Sequence, residues 1–311
     1  MLFRSSGLEL DAGRRPIATA IGMFDGVHLG HQHVIRQAVI DAATLGGIAV
    51  VMTFDPHPLQ ILAPAHAPAL LQSLVQRVRS ISAMGVHAVW TAPFDAALSQ
   101  KPGDDFIRDI VAQLPTLRSV SVGKDFQFGR ARSGNVTLLQ TLGREFGFRV
   151  HALSPIAVGG ITVSSTRIRE TLRRGDLDHV AELLGRPYAI AGAVVQGDQR
   201  GRTLGFPTAN LDITRLALPP LGVYAARTQI RGKTHLAAVN LGIRPTLHEP
   251  NPVPRCEAHL LDFDGDLYGS YLELEIVAFI RPEQAFPSLP ELRAQIERDI
   301  ASVRDLCSCA A

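Results

Sequence analysis

Cysteine is scarce in this chain: there are three in 311 residues, and Cys307 and Cys309 fall within the last five. So placed they can staple no framework, and a zinc reading lacks a second ligand pair at suitable spacing. An excess of one charge is also lacking. Lys and Arg number 31 against 29 Asp and Glu, a formal net charge of +2, and no long basic run stands out. That balance argues against nucleic acid or an anionic membrane as the main partner. No uninterrupted apolar run approaches the roughly 20 residues needed to span a bilayer. The opening MLFRSSGLELDAGRR has no basic start followed by an apolar stretch, so no signal peptide is read, and Glu9 and Asp11 argue against a transit peptide. The chain reads as cytoplasmic.

What is present is globular usage, 46% hydrophobic and 19% charged, in a length that suits two domains better than one core. The first half alternates between two periodicities. Apolar runs at 18–24, 48–54, 87–93, 119–123 and 149–154 are separated by helix-like stretches at 31–44, 74–84, 104–114 and 136–146. Strand then helix at this spacing predicts βαβ units and a buried parallel sheet. In such sheets ligands sit beyond the carboxyl ends of the strands. SSTRIRETLRRG and DLDHVAELLG read as helices, closed by Gly185 and Pro187. The pattern then changes to short β-rich runs without helices between them: YAIAGAVV, GVYAARTQI, HLAAVNLG, CEAHLLDF and YLELEIVAFI. These predict an antiparallel barrel or sandwich. One helix at about 289–303 finishes the chain. The domain boundary is placed at Arg186, giving domains 1–186 and 187–311.

The first candidate site is the run IGMFDGVHLGHQHVIRQAV. A strand ends at Phe24, glycines at 26 and 30 permit a tight turn, and a helix begins near Leu29. Free N–H groups and the positive end of the dipole at that helix start favour an anion. His28 and His31 are three apart and project on one face, where they suit the charge that builds on phosphorus during transfer. A lone loop histidine is usually a plain surface residue, and a zinc site would need a third ligand. Strand, glycine turn and paired histidines together favour the functional reading. TFDPHP (53–58), VGKDFQFG (122–129) and SSTRIR (164–169) fall where the same sheet would present them. SSTRIR is an ordinary N-cap or a phosphate site. Phe126 and Phe128 are core residues, or Phe128 joins Pro56 and Pro58 in an aromatic wall.

The second candidate site is VVQGDQRGRTLGFPTANLDI. Glycines at 197, 201 and 205 let backbone approach phosphate closely. The spacing is not that of a P-loop, and no helix follows. In extended chain Thr208 and Asn210 share a face, so a hydroxyl and an amide oxygen can converge on Mg²⁺. Glycine alone would indicate a hairpin turn; the polar PTAN residues in apolar surroundings point to a site.

With GMFDGVHLGH, TFDPHP, VGKDFQFG and SSTRIR in the first half, and GDQRGRTLGFPTANL, GVYAA, NLGIRPT and CEAHLLDFDGDLYG in the second, the chain resembles the prokaryotic bifunctional riboflavin kinase/FMN adenylyltransferases, or FAD synthetases. The resemblance covers nearly the whole chain. It implies an α/β nucleotidylyltransferase domain with a Rossmann-like parallel sheet, followed by an all-β six-stranded Greek-key barrel with a C-terminal helix. It also implies two ATP-dependent reactions with Mg²⁺: riboflavin to FMN, and FMN to FAD with release of pyrophosphate. His28 and His31 would hold ATP phosphates beside the Gly26 turn. Ser165, Thr166 and Arg169 would hold the far phosphates, with Asp125 and Phe128 near the flavin and adenylyl groups. Gly197, Arg202, Gly205, Pro207, Thr208 and Asn210 would bind nucleotide in the kinase half, Thr208 and Asn210 also holding the metal. The family's base is the acidic residue before HLLDF, which is Glu257; a plain surface glutamate on an edge strand is the weaker reading. Asp262 and Asp266 read as turn residues. The expected partners are riboflavin, FMN and ATP, without nucleic acid or membrane; a weak homo-oligomer is left open. Met23, Arg167 and the proline-rich stretch 248–255 depart from the pattern without removing a proposed group. A flavin-binding regulator without turnover is the rival reading, but it would need no base.

Overall fold

The computed structural model describes residues 2–4, 15–197, 206–243 and 254–309. The chain divides into two compact units: the first runs to Ala69 and includes Leu74–Ser165, and the second comprises Leu70–Ser73 and the chain from Thr166 on.

The first unit contains strands β1 (Leu2–Arg4), β2 (Ile17–Ile21), β3 (Ile48–Asp55), β4 (Ala88–Pro93) and β5 (Leu117–Gly123). A small hairpin of β6 (Gln127–Phe128) and β7 (Gly134–Asn135) follows, then β8 (Arg149–Leu153). β1, β2, β3, β4, β5 and β8 form one six-stranded sheet in the order β1-β4-β3-β2-β5-β8, parallel throughout. All five apolar runs of the sequence are in it. β1 is an addition, since three residues are too few to show a period.

The inner strands are apolar on both faces because helices cover both. These helices are α1 (Leu29–Thr44), α2 (Pro58–Leu62), α3 (Leu74–Ser82), α4 (Ala96–Ser99), α5 (Gly103–Gln113) and α6 (Val136–Phe146). Val34, Ile35 and Ala38 of α1 and Val78 and Ile81 of α3 pack on Ala20, Val51 and Val89. On the opposite face, Ile107 and Ile110 of α5 and Leu139 and Leu142 of α6 pack on Ile17, Val50, Trp90 and Val120. Strand ends and helix starts therefore meet along one edge of the sheet, where the first site lies. Asn135 caps α6 by accepting from the Leu138 N–H at 3.0 Å, and Gly147, at φ +77°, ends it.

A hairpin of β9 (Ala157–Val158) and β10 (Ile161–Thr162) precedes α7 (Ser165–Arg173), followed by α8 (Leu177–Leu184). Gly185 closes α8 at φ +70°. The second unit then forms β11 (Ala189–Val195), β12 (Ala209–Leu211), β13 (Gly222–Ile230), β14 (Lys233–Ile243), β15 (Pro254–Leu260) and β16 (Tyr271–Arg281). They close a barrel in the order β11-β12-β15-β14-β13-β16, so of the two β architectures left open the barrel is the one formed. Alternate residues fill its interior: Ala237, Val239 and Leu241 on β14, Cys256, Ala258 and Leu260 on β15, and Leu272, Leu274 and Ile276 on β16.

The last helix, α9 (Leu289–Cys309), continues beyond the expected end at 303. Val303 and Cys307 pack with Ala225, Leu236, Ala238 and Val277 on the outside of the barrel. A bidentate pair fixes the seam: Arg281 donates from Nε to Asp299 Oδ1 at 3.0 Å and from Nη2 to Oδ2 at 2.8 Å, and the Asp299 side chain is only 5% exposed. Asp299→Ala strands the guanidinium at this seam and is expected to destabilise the barrel unit by about 3 kcal/mol. Urea unfolding followed by the barrel's own signal checks it, and a loss below about 1 kcal/mol would show that the pair is not what seats α9.

Candidate active sites

The chain leaves β2 through the turn 22–28, and the backbone of that turn is strained. Phe24 has φ +51°, Gly26 +85° and Val27 +40°. Two residues with side chains thus occupy a region that normally favours glycine. They are held there because both side chains are buried in the core under α1, at 2% and 1% exposure. The expectation that glycines 26 and 30 make the turn is half corrected: Gly26 does, but Gly30 lies in the first turn of α1. Its use is space, since a Cβ there would stand 3.2 Å from Cε1 of the His28 ring.

His28 is the N-cap of α1, its Nδ1 accepting from the His31 N–H at 3.3 Å. The two imidazoles stack, with centroids 3.6 Å apart and planes 18° from parallel, while the Phe24 ring meets His31 edge-on at 5.4 Å. A backbone N–H can only donate, so Nδ1 of His28 is bare and the neutral ring carries its proton on Nε2. The helix start thus combines free N–H groups, the positive end of the dipole and an imidazole donor. The Ser165 hydroxyl donates to the carbonyl of Asp25 at 3.0 Å, tying Ser165 to the same turn. Thr166 is exposed on the first turn of α7 and Arg169 is buried one turn later; both belong to the second unit.

Beyond β3 and β5 lies an aromatic row. Phe94 meets Phe54 at 6.1 Å, Phe54 meets Phe106 at 6.3 Å, Phe106 meets Phe128 at 5.9 Å, and Phe126 stacks on Phe128 at 5.3 Å. Phe128 is buried in the core, Phe126 is half-buried, and Asp125 is exposed in the turn between them and β5.

In the second unit Gly197 stands just beyond β11; Arg202 and Gly205 lie outside the described residues. A Cβ on Gly197 would fall 2.3 Å from Asn210 Nδ2, so a side chain there would have to displace the Asn210 amide. Asn210 pairs with Val195 on one side and Glu257 on the other, and Glu257 is in turn opposite Asn240. Their neighbours Leu211, Cys256 and Leu241 are buried, so Asn210, Glu257 and Asn240 form a row on the outward face of three adjacent strands. Asn240 was not anticipated, although it is the lone amide in the apolar run HLAAVNLG. Thr208, just before β12, lines a cavity of about 550 Å³ with Pro207, Ala258, Phe263, Asp266 and Tyr268. His259 donates from Nδ1 to the Pro207 carbonyl at 2.9 Å, pinning that segment. Asp262, at φ +55°, is paired with Arg304, and Asp266 accepts from the Tyr268 N–H, so both carboxylates are engaged in local structure.

The donor chemistry fits a hard divalent cation. A hydroxyl and an amide oxygen are the neutral oxygens that Mg²⁺ accepts when nucleotide phosphates and water complete its shell. Among the described residues no group of three or more His, Cys, Asp or Glu side chains could hold a metal ion. No helix there is long and apolar enough to cross a membrane.

A family model described as FAD synthetase matches residues 11–167, and one described as riboflavin kinase matches residues 184–307. The bifunctional riboflavin kinase/FMN adenylyltransferase of Escherichia coli (strain K12) is 39% identical over 286 residues, 92% of this chain and 91% of the relative. That of Haemophilus influenzae is 37% identical, covering 92% and 93%, and that of Bacillus subtilis 35%, covering 90% and 89%. A crystal structure described as a macrolide-efflux protein from Streptococcus pneumoniae superposes with a TM-score of 0.78 at 29% identity, covering 94% of this chain and 96% of that one.

Burial first, and the charge of Glu257 second, push the Cys256 thiol up to about 12. The folded barrel therefore favours the neutral thiol. That contribution is complete below the unfolded thiol's range, about 8.5, and is lost as pH rises towards the folded value. Between about pH 9 and 11 the unfolding free energy of the wild-type barrel is expected to fall by roughly 1 kcal/mol per pH unit more than that of Cys256→Ala. Parallel slopes in urea titrations would refute this.

Proposed function

The chain belongs to the family of bifunctional riboflavin kinase/FMN adenylyltransferases, and from that premise we propose how its own residues divide the two reactions. The chain is an enzyme of FAD biosynthesis. It phosphorylates riboflavin with ATP to FMN, then adenylylates FMN with ATP to give FAD and pyrophosphate. We assign adenylyl transfer to residues 1–186 and the kinase to 187–311. Riboflavin, FMN and ATP are its partners; the reading places it in the cytoplasm, without nucleic acid or membrane, as at most a weak homo-oligomer.

One observation carries the first assignment: the stacked His28–His31 pair capping α1. The FMN phosphate attacks the α-phosphorus of ATP and pyrophosphate leaves. That nucleophile is already ionised, so no protein base is required. What the reaction needs is stabilisation of negative charge, supplied by the Nε2–H of His28, by His31 and by the N-terminus of α1. Gly26 gives the backbone its turn, and Ser165, Thr166 and Arg169 take the far phosphates. The aromatic row ending in Phe128 backs the flavin side, with Asp125 at its rim.

The kinase assignment rests on the row Asn210–Glu257–Asn240. Riboflavin's terminal hydroxyl loses its proton as it attacks the γ-phosphorus, and Glu257 accepts that proton. Thr208 and Asn210 would hold Mg²⁺, which supplies neutralisation of the phosphate charge. The cavity beside Thr208 offers Phe263 and Tyr268 to a purine. We place ATP there, with its phosphates running under Gly197 and Pro207, and we keep Arg202 and Gly205 in their expected nucleotide-binding roles.

Incubation with riboflavin, ATP and Mg²⁺, followed by chromatography of the flavins, tests both halves. Replacing His28 and His31 with Ala is expected to lower FAD formation at least about 100-fold while FMN formation continues. Glu257→Ala should lower FMN formation by about 100-fold or more and leave FAD formation from supplied FMN intact. Normal rates of both products from either variant would overturn its assignment. Gly197→Ala forces the Asn210 amide aside and is expected to raise the kinase KM for MgATP about tenfold, with FAD formation from FMN unaffected; an unchanged KM would remove Asn210 from the nucleotide site.

A further inference from the structure

Arg77 of α3 is only 1% exposed, and the mechanism above makes no use of it. Its guanidinium bridges the turn after β2 and the end of β3. Nη1 donates to the carbonyl of Met23 at 3.2 Å, and Nη2 donates to the carbonyl of Phe54 at 2.8 Å. The Asp55 carboxylate lies 3.8 Å from Nη2. Thr53 Oγ1 adds a second bond to Met23 O at 2.8 Å, so that one carbonyl is held from β3 and from α3 together. Burial lowers the pKa of Arg77, and the charges of Asp25 and Asp55 oppose that shift.

An arginine enclosed this completely is costly, the more so as its Nε has no hydrogen-bond partner among the described residues, and an aliphatic side chain would fill the same volume. A guanidinium is needed here for its planar fork, which can bond the Met23 carbonyl in the turn and the Phe54 carbonyl on β3 together; the single ammonium of a lysine cannot span both. One of those carbonyls opens the strained turn 22–28, in which Phe24 and Val27 stand at positive φ immediately before the cap. The side chain is too enclosed to touch nucleotide, and the nearby Asp25 and Asp55 offset its charge. Its effect on chemistry must pass through the backbone it holds.

We propose that Arg77 is the positioning residue of the adenylyl-transfer site, latching the end of β3 to the turn that presents His28. The inference rests on the assignment of His28 above. A catalytic group displaced by about 1 Å loses on the order of 100-fold in rate with little change in substrate binding.

The test uses the full chain, whose kinase reaction serves as an internal reference in each preparation. For Arg77→Gln the kcat of FAD formation from FMN and MgATP is expected to fall about 100-fold, and for Arg77→Lys, which keeps the cation and one bond, about tenfold. In both variants KM for MgATP should stay within about threefold and FMN formation within about twofold, with far-ultraviolet circular dichroism unchanged. A FAD-forming kcat within about twofold of wild type in both variants overturns the inference. So does loss of the helical signal together with FAD formation in both, which would make Arg77 a folding residue, and so does a loss confined to KM. The premise fails separately: if His28→Ala retains FAD formation, the site assignment falls whatever Arg77 does. If His28 proves essential and Arg77 indifferent, only the latch is refuted.

Discussion

The bond from the His31 amide to the His28 ring is the contact on which the first site depends. It satisfies one of the orphan donors at the start of α1, as any N-cap does. A serine or aspartate would satisfy that donor equally well. An imidazole in the cap does more, because an accepting Nδ1 puts the neutral ring's proton on Nε2, a donor that serine and aspartate lack. It also draws the ring back over the helix, where it stacks on His31. Local folding and chemistry therefore share one bond, and the strain at Phe24 and Val27 sets the direction from which the chain enters the cap.

The barrel reaches a comparable arrangement by another route. It has no helix start at the site; instead it uses strand register. Asn210, Glu257 and Asn240 come from three strands, and antiparallel pairing alone puts them in line. The two nucleophiles account for the difference. A phosphate arrives ionised and asks only for charge stabilisation, so on the proposed assignment two histidines at a helix start suffice. An alcohol must lose a proton, for which the proposed assignment uses the carboxylate of that row.

What could be read from the sequence follows the length of each signal. Five apolar runs and four helical stretches were long enough to show their periods, and all appear in the first unit. β1 and β12, three residues each, were too short to do so. The His28–His31 face could be read because helical spacing places i and i+3 together. The positive φ of Phe24 and Val27 could not, because burial rather than residue type sustains it. Asn240 became meaningful only once the register set it opposite Glu257. Arg77 sits in LVQRVRSIS, a helical stretch in which the sequence singles out neither arginine. Its partners are backbone carbonyls, and these leave no mark in a sequence.

The Asn210 amide shows how closely the second site is constrained. A Cβ on Gly197 would lie 2.3, 2.4 and 2.6 Å from its Nδ2, Cγ and Oδ1, so the glycine lies broadside over the amide plane. Contact on the flat face leaves the two polar edges of the amide for partners in its own plane. An amide has one accepting edge and one donating edge. If the oxygen is turned to a cation, the NH₂ is what remains for the neighbouring carboxylate. Reversing the amide would point its NH₂ at the cation and its oxygen at Glu257, which is unfavourable at both ends. On the proposed assignment the cation side and the base side of the site would be coupled through one side chain, for which the absence of a Cβ at Gly197 leaves the room.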